Sequence, residues 1–187
     1  MARRLRVFIP GASVHVIQRG HNHGRMFTGR SDFERFIILL KLAARRNGLA
    51  VHGFSLMTTH VHLLATPATR LALSTTMKEC CGSYVQQCNR KYSRTGTLLN
   101  GRYTAFVVAD ERYWLNCLRY IERNPVEAGM VRDPGDYPWS SYRTHAFGEP
   151  YTWLTPHILH LSLGRTSEIR QAVYRAIVSG VPPESEE

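Results

Sequence analysis

Met57-Thr58-Thr59-His60-Val61-His62-Leu63-Leu64-Ala65 is the stretch on which the reading of this chain turns. Along a strand successive side chains alternate faces, so His60 and His62 point one way and Val61 the other. Two imidazoles side by side on one strand are a ready pair of ligands for a first-row divalent ion. A structural role would satisfy them too, because buried polar groups are as a rule hydrogen-bonded. Just upstream, Leu49 to Leu56 reads as another strand. A short turn joins it to Thr59–Thr66, so the histidine pair sits on the second arm of a hairpin.

Outward from the hairpin, Ala12 to Arg19 alternates apolar and polar residues and reads as a first strand. Gly20-His21-Asn22-His23-Gly24-Arg25 is a loop whose polar and basic groups suit phosphate. Its His21 and His23 are a second possible metal pair, but a flexible loop orients ligands poorly, so they read as surface residues. Ser31-Asp32 opens a helix in the manner of an N-cap, Phe33, Phe36, Ile37, Leu40 and Ala44 form its apolar face, and Asn47-Gly48 ends it. A long helix from about Leu71 to Tyr92 carries Leu73, Met77, Cys80, Cys81, Tyr84 and Cys88 at helical spacing. Gly101 to Val108 is a fourth strand, and Asp110 caps a helix running to about Arg123. Strand, helix, strand, strand, helix, strand is the ferredoxin-like split βαβ order of an α+β fold. It implies a four-stranded antiparallel sheet with helices on one face, here followed by a further helix. This domain spans residues 1–131. Residues 132–180 are a C-terminal extension packed on or beside it, turn-rich at first and ending in a helix from about Thr166 to Val178. The tail 181–187, acidic and without apolar anchors, reads as disordered.

Of the chain's 187 residues 43% are hydrophobic and 20% charged, the composition of a soluble globular protein. Its net charge is +10, and among its basic residues only Lys41, Lys78 and Lys91 are lysine. Arginine's planar fork binds phosphate oxygens with two hydrogen bonds and stacks on bases, so the balance leans towards nucleic acid. An arginine-rich codon bias would give the same charge with no partner attached. Cys80, Cys81, Cys88 and Cys117 form no CxxC pair and no zinc spacing, which fits a reducing cytosol. The apolar stretch after the basic start stops at Pro10-Gly11, too short for a signal peptide. No apolar run approaches the roughly 18 residues needed to cross a bilayer. A cytoplasmic protein with no membrane partner is expected.

Tyr113 and Tyr120 lie seven residues apart, and so on nearly the same face of the helix after the fourth strand. A tyrosine can attack a phosphodiester if nearby positive charge helps a phenol that ionises near ~10. Periodicity does not choose between the two.

Taken in order, His60-Val61-His62-Leu63-Leu64, Asn100-Gly101-Arg102-Tyr103, Leu118-Arg119-Tyr120-Ile121-Glu122-Arg123-Asn124-Pro125-Val126-Glu127-Ala128-Gly129 and Tyr137-Pro138-Trp139-Ser140-Ser141-Tyr142 resemble one family. It is that of the single-tyrosine transposases of the HUH endonuclease superfamily, relatives of the IS200/IS605 transposases. The likeness is to the branch associated with repetitive extragenic palindromes. The resemblance implies that His60 and His62 hold a divalent ion, Mg²⁺ or Mn²⁺ in use, and that Tyr120 is the nucleophile. The polar residue one turn on, Asn124, would complete the metal site. Asn124 precedes Pro125, however, and capping of a new turn would also explain it. The implied activity is nicking and rejoining of single-stranded or hairpin DNA through a 5′-phosphotyrosine, by a monomer or a homodimer.

Arg102 and Arg119 stand close to these motifs as candidate phosphate contacts, and Arg19, Asn22, His23 and Arg25 as DNA contacts through the first loop. Trp139 reads as an anchor packing the extension on the core rather than as a base-stacking group. Two alternatives remain beside the palindrome-acting enzyme. One is an ordinary IS200-type insertion-sequence transposase, and the other is an inactive nucleic-acid-binding module of the same fold.

Overall fold

The computed structural model describes residues 9–180 apart from Ala109 and Pro150, so the expectations for the basic N-terminus and the tail 181–187 lie outside the described residues. In chain order the strands are β1 (Ser13–Arg19), β2 (Leu49–Leu56), β3 (His60–Pro67) and β4 (Thr104–Val108). The helices are α1 (Arg30–Asn47), α2 (Ala72–Lys91), α3 (Glu111–Glu127), α4 (Tyr142–Phe147), α5 (Ile158–Leu161) and α6 (Ser167–Ser179), with single 3₁₀ turns at His21–His23 and Pro134–Asp136. The sheet order is β2-β3-β1-β4, with every neighbouring pair antiparallel. This is the ferredoxin-like arrangement expected from the element order.

Helices cover both faces, and they do so differently. Towards α1 and α2 the sheet sends Val14, Val16, Val51, Phe54, Leu56, Val61, Leu63 and Ala65, which meet Phe36, Leu40, Met77, Cys80 and Tyr84 in the main core. Phe36, Leu40, Leu63 and Phe54 are wholly buried; each such side chain contributes about 1.5–3 kcal/mol by leaving water. Towards α3 the sheet sends Leu64 and Val108 against Trp114, Cys117, Leu118 and Ile121. A bulge interrupts the β2–β3 register between Val51 and Gly53. A Cβ on Gly53 would stand 2.4 Å from Leu118 Cδ1, so a larger residue here would force the buried Leu118 side chain to move.

The ends of three elements differ from the sequence reading. Asp32 is not an N-cap residue: α1 starts at Arg30 after Gly29, and the Asp32 carboxylate reaches back to accept from the amides of Thr28 and Gly29 (2.9 and 3.0 Å). At the helix start it satisfies amides that have no partner within the helix. β4 begins at Thr104 rather than Gly101, because Gly101 takes a left-handed φ of 60° that leaves the strand. The break expected between Asn124 and Pro125 does not occur. α3 runs through Pro125 to Glu127, so Asn124 is a helix residue and not the cap of a new turn. Gly48, with φ 69°, ends α1 as its left-handed cap, in line with the sequence.

The C-terminal segment is built onto β2 and α3. Ser141 N donates to Phe54 O (2.9 Å), and Thr155 N donates to Val51 O (2.8 Å). Trp139 stacks on Phe33 at 4.7 Å and is half-buried, the anchoring role expected of it.

Candidate active site

β3 presents His60 and His62 towards the α3 face, and the strand register brings β1 alongside: Ile17 pairs with His62, Arg19 with His60, and His15 with Leu64. His15 therefore lies on the same face as His62. The two rings stack at 5.1 Å, with His15 Nε2 and His62 Nδ1 2.9 Å apart. Placing the shared proton on His62 Nδ1 leaves its Nε2 lone pair free, the orientation in which an imidazole ligates a metal. The His60 ring lies 4.8 Å from that of His62. Its Nδ1 pairs with Thr59 Oγ1 at 3.1 Å, and the Asn124 side chain acts on the same ring, favouring its protonated form.

α3 closes the site from above. Its Tyr120 ring stands 5.7 Å from His62 and 6.0 Å from His15, edge-on to both, and remains 51% exposed. Asn124, one turn on, is buried. Tyr113 is also exposed, and its amide donates to the capping carboxylate of Asp110 (3.1 Å). Of the two tyrosines, Tyr120 is the one in ring contact with the histidines.

Burial holds these imidazoles neutral. His62 is pushed down to about 3, mainly by loss of water and further by neighbouring His60, His15 and Arg19. His15 is pushed down to about 4 by burial. His60 is lowered by burial and by the Arg19 charge, against an opposing effect of the Asn124 side chain. Neutral imidazole is the ligating form, so these rings are already in the protonation state that a metal ligand needs. Among the described residues no group of three or more His, Cys, Asp or Glu is placed to hold a metal. The available set is two imidazoles and an amide oxygen, all uncharged. Such a set suits a divalent ion and leaves its charge for a phosphate oxygen.

The other predicted contacts divide into groups. Arg19 is exposed, and its charge acts on both His60 and His62. Asn22, His23 and Arg25 are exposed on the first loop, which is tied to the start of β3 by Gly20 N donating to Thr59 O (2.8 Å) and Met26 N donating to Thr58 O (2.8 Å). His21 and His23 are exposed too, the surface position expected of that second pair. Arg102 lies elsewhere, in a groove it lines with Gln18, Lys78 and Tyr103 beside α2. Arg119 is half-buried and its charge reaches Tyr174 of α6, which groups it with the C-terminal helices rather than with the histidines.

Two residues of this region escaped the sequence reading. His15 was legible only as a polar residue on an alternating strand; its partner His62 becomes visible once β1 is paired with β3. Glu122, two residues beyond Tyr120, is completely buried. Its Oε1 accepts from Ser141 Oγ and from His145 Nδ1 (2.7 Å), and its Oε2 accepts from the Tyr174 hydroxyl. Arg123 adds a bond to Val178 O (2.8 Å). The helix bearing Tyr120 is thus fixed to α4 and α6 by a carboxylate whose lone pairs are well used, the condition under which a buried charge is tolerated.

A family model described as IS200-like transposase matches residues 9–124, from β1 to Asn124. Among solved structures, a REP-associated tyrosine transposase bound to a REP hairpin superposes with a TM-score of 0.68. It is 16% identical, and the match covers 84% of this chain and 93% of that one. A chain from Deinococcus radiodurans R1 described as a candidate transposase gives a TM-score of 0.45 at 18% identity, covering 65% of this chain and 97% of that one. No curated protein matches the sequence.

Proposed function

The chain belongs to the IS200-like transposase family, and from that premise we propose that it nicks and rejoins single-stranded DNA through a covalent link to Tyr120. The observation that carries the proposal is the exposed Tyr120 ring beside the paired rings of His62 and His15, with Asn124 one turn away. A nucleophile must be open to its substrate and still close to the groups that stabilise charge, and Tyr120 meets both conditions.

In this reading His60, His62 and Asn124 hold a divalent cation, Mg²⁺ or Mn²⁺, which when bound supplies Lewis-acid stabilisation of the scissile phosphate. His15 fixes the ring of His62. Arg19 draws the phosphate to the mouth of the site, with Asn22, His23 and Arg25 continuing the contact along the first loop. The Tyr120 oxygen attacks phosphorus, a new O–P bond forms, and the bond from phosphorus to the 3′ oxygen breaks. The phenol's proton leaves to solvent, and the departing oxygen takes one up as a free 3′-hydroxyl. A 3′-hydroxyl from the same or another strand then attacks the phosphotyrosine, restoring a phosphodiester and the free Tyr120. No water enters the bond balance, so the energy of the phosphodiester is kept for rejoining.

The structural neighbour is bound to a REP hairpin, and we carry hairpin-bearing palindromic DNA over as the substrate class. The net charge of +10 supports an anionic polymer as partner. We further propose that each copy uses its own tyrosine, because Glu122 and Arg123 tie α3 to α4 and α6 of the same chain.

The test is a labelled hairpin oligonucleotide with single-stranded flanks, incubated with Mn²⁺ and run on a denaturing gel. The wild type and Tyr113→Phe are expected to form a protein–DNA adduct, and Tyr120→Phe none. An adduct formed equally by Tyr120→Phe overturns the assignment. Mixing Tyr120→Phe with His62→Ala should restore no adduct if the tyrosine acts within its own chain, and recovery would show exchange between copies.

A further inference from the structure

β4 is the edge of the sheet, and α3 does not cover its outer end. Along β4 the exposure alternates, with Thr104 and Phe106 open on the α3 side and Ala105 and Val107 packed below against the main core. Phe106 is 51% exposed, an uncommon place for a phenylalanine ring on a half-covered sheet face. Single exposed apolar residues need no explanation by themselves. The position of this one is what gives it meaning. The register sets Phe106 directly across from His15, with ring centroids 6.4 Å apart. His15 in turn stacks on His62 and meets the edge of Tyr120. An open aromatic ring is therefore separated from the proposed nucleophile by one histidine.

We propose that Phe106 is a stacking platform for the nucleobase next to the scissile phosphate. The proposal rests on the reading of Tyr120 as nucleophile and adds the subsite that orients the strand for its attack. A flat ring accepts any base by its π face, and this kind of contact dominates sequence-tolerant binding of single strands. Stacking requires an unpaired base, so the platform selects a single-stranded flank over a duplex at the point of cleavage. Arg19, on the same face at the far end of β1, supplies the charge that holds the backbone. The chain's strong positive balance favours a nucleic acid over an apolar protein partner at this ring.

The experiment is a cycle of two changes, Phe106→Ala in the protein and an abasic nucleotide on either side of the cleaved bond in the hairpin oligonucleotide. Adduct formation is followed with Mn²⁺. Phe106→Ala is expected to slow the reaction about tenfold on the intact strand, and one of the abasic positions should slow the wild type by a similar factor. Together they should cost little more than either alone, and Phe106→Trp should keep the wild-type rate. Losses that multiply, or a Phe106→Ala rate equal to wild type, overturn the platform while leaving the Tyr120 assignment standing.

Binding read without chemistry separates the two ideas from the other side. With Tyr120→Phe, a 2-aminopurine at the sensitive position should be quenched on binding, and Phe106→Ala should abolish the quench. That readout holds even if no adduct ever forms, and an unchanged quench in Phe106→Ala refutes the platform.

Discussion

On one face of β3, Val61, Leu63 and Ala65 close the core with α1 and α2. On the other face of the same strand, His60 and His62 stand with His15, Tyr120 and Asn124 under α3. Adjacent residues thus serve opposite ends. One layer lowers free energy by removing apolar surface from water. The other takes polar groups out of water, and that burial is the main cause holding their imidazoles neutral. All four of the imidazoles most strongly held neutral, His15, His52, His62 and His160, belong to the α3 side or to the extension beyond it. The difference teaches that the dry face makes the sheet rigid enough for the polar face to hold a geometry.

The largest expected effect comes from splitting the two faces at neighbouring positions. His62→Ala should reduce adduct formation by more than about 100-fold, beyond the cost of losing an outer partner of a metal ligand. It should leave the melting temperature within a few degrees of wild type. Leu63→Ala should do the reverse, costing about 2–5 kcal/mol of stability with the rate per folded molecule unchanged. Denaturant melts and adduct kinetics on both variants check this, and a shared loss of both properties would erase the distinction.

Next in size is the carboxylate behind α3. Glu122→Ala leaves His145, Ser141 and Tyr174 without their acceptor, a loss of roughly 3 kcal/mol or more. Urea unfolding measures it, and a change below about 1 kcal/mol would mean that the extension is not held this way.

A further effect follows from pH. The buried histidines titrate lower in the folded state than the ordinary 6.5, His15 and His52 near 4 and His62 and His160 near 3. As pH falls below 6.5 the unfolded chain takes up protons first, so their contribution is complete above that value and declines towards pH 4. Melting temperatures in EDTA should be level from pH 8 to 7 and fall steadily below about 6.5. A flat profile down to pH 5 would show these rings to be less sequestered than the geometry indicates.

Smallest is Arg19→Ala at the mouth of the site. It should weaken hairpin binding modestly and reduce the slope of log K against log salt by about one, as fluorescence anisotropy across a salt series would record.

Much of the dry face could be read directly. The spacing of Phe33, Phe36, Ile37, Leu40 and Ala44 and the alternation around His60 are local patterns, and the local structure obeys them. The histidine pair was legible for the same reason. His15 was not, because its meaning depends on which residue of β3 it meets, and register is a tertiary fact. Glu122 reads in a helix as a solvated acid until Ser141, His145 and Tyr174 arrive from the extension. The proline after Asn124 pointed to a break that packing overrides. Arg102 and Arg119 stand close in sequence to the motifs, but only the fold shows that Arg102 lines a groove beside α2 and that the Arg119 charge acts on Tyr174.

The claim that the α3 face is the reacting face is tested most directly by mapping the DNA attachment on the wild-type protein. Tyr113 and Tyr120 are separated by Arg119, so trypsin divides the two tyrosines between different peptides. After adduct formation and nuclease trimming, mass spectrometry should find the nucleotide remnant on Tyr120, in the peptide ending at Arg123. A remnant on Tyr113, or on any residue away from the His15–His62 pair, would contradict the account.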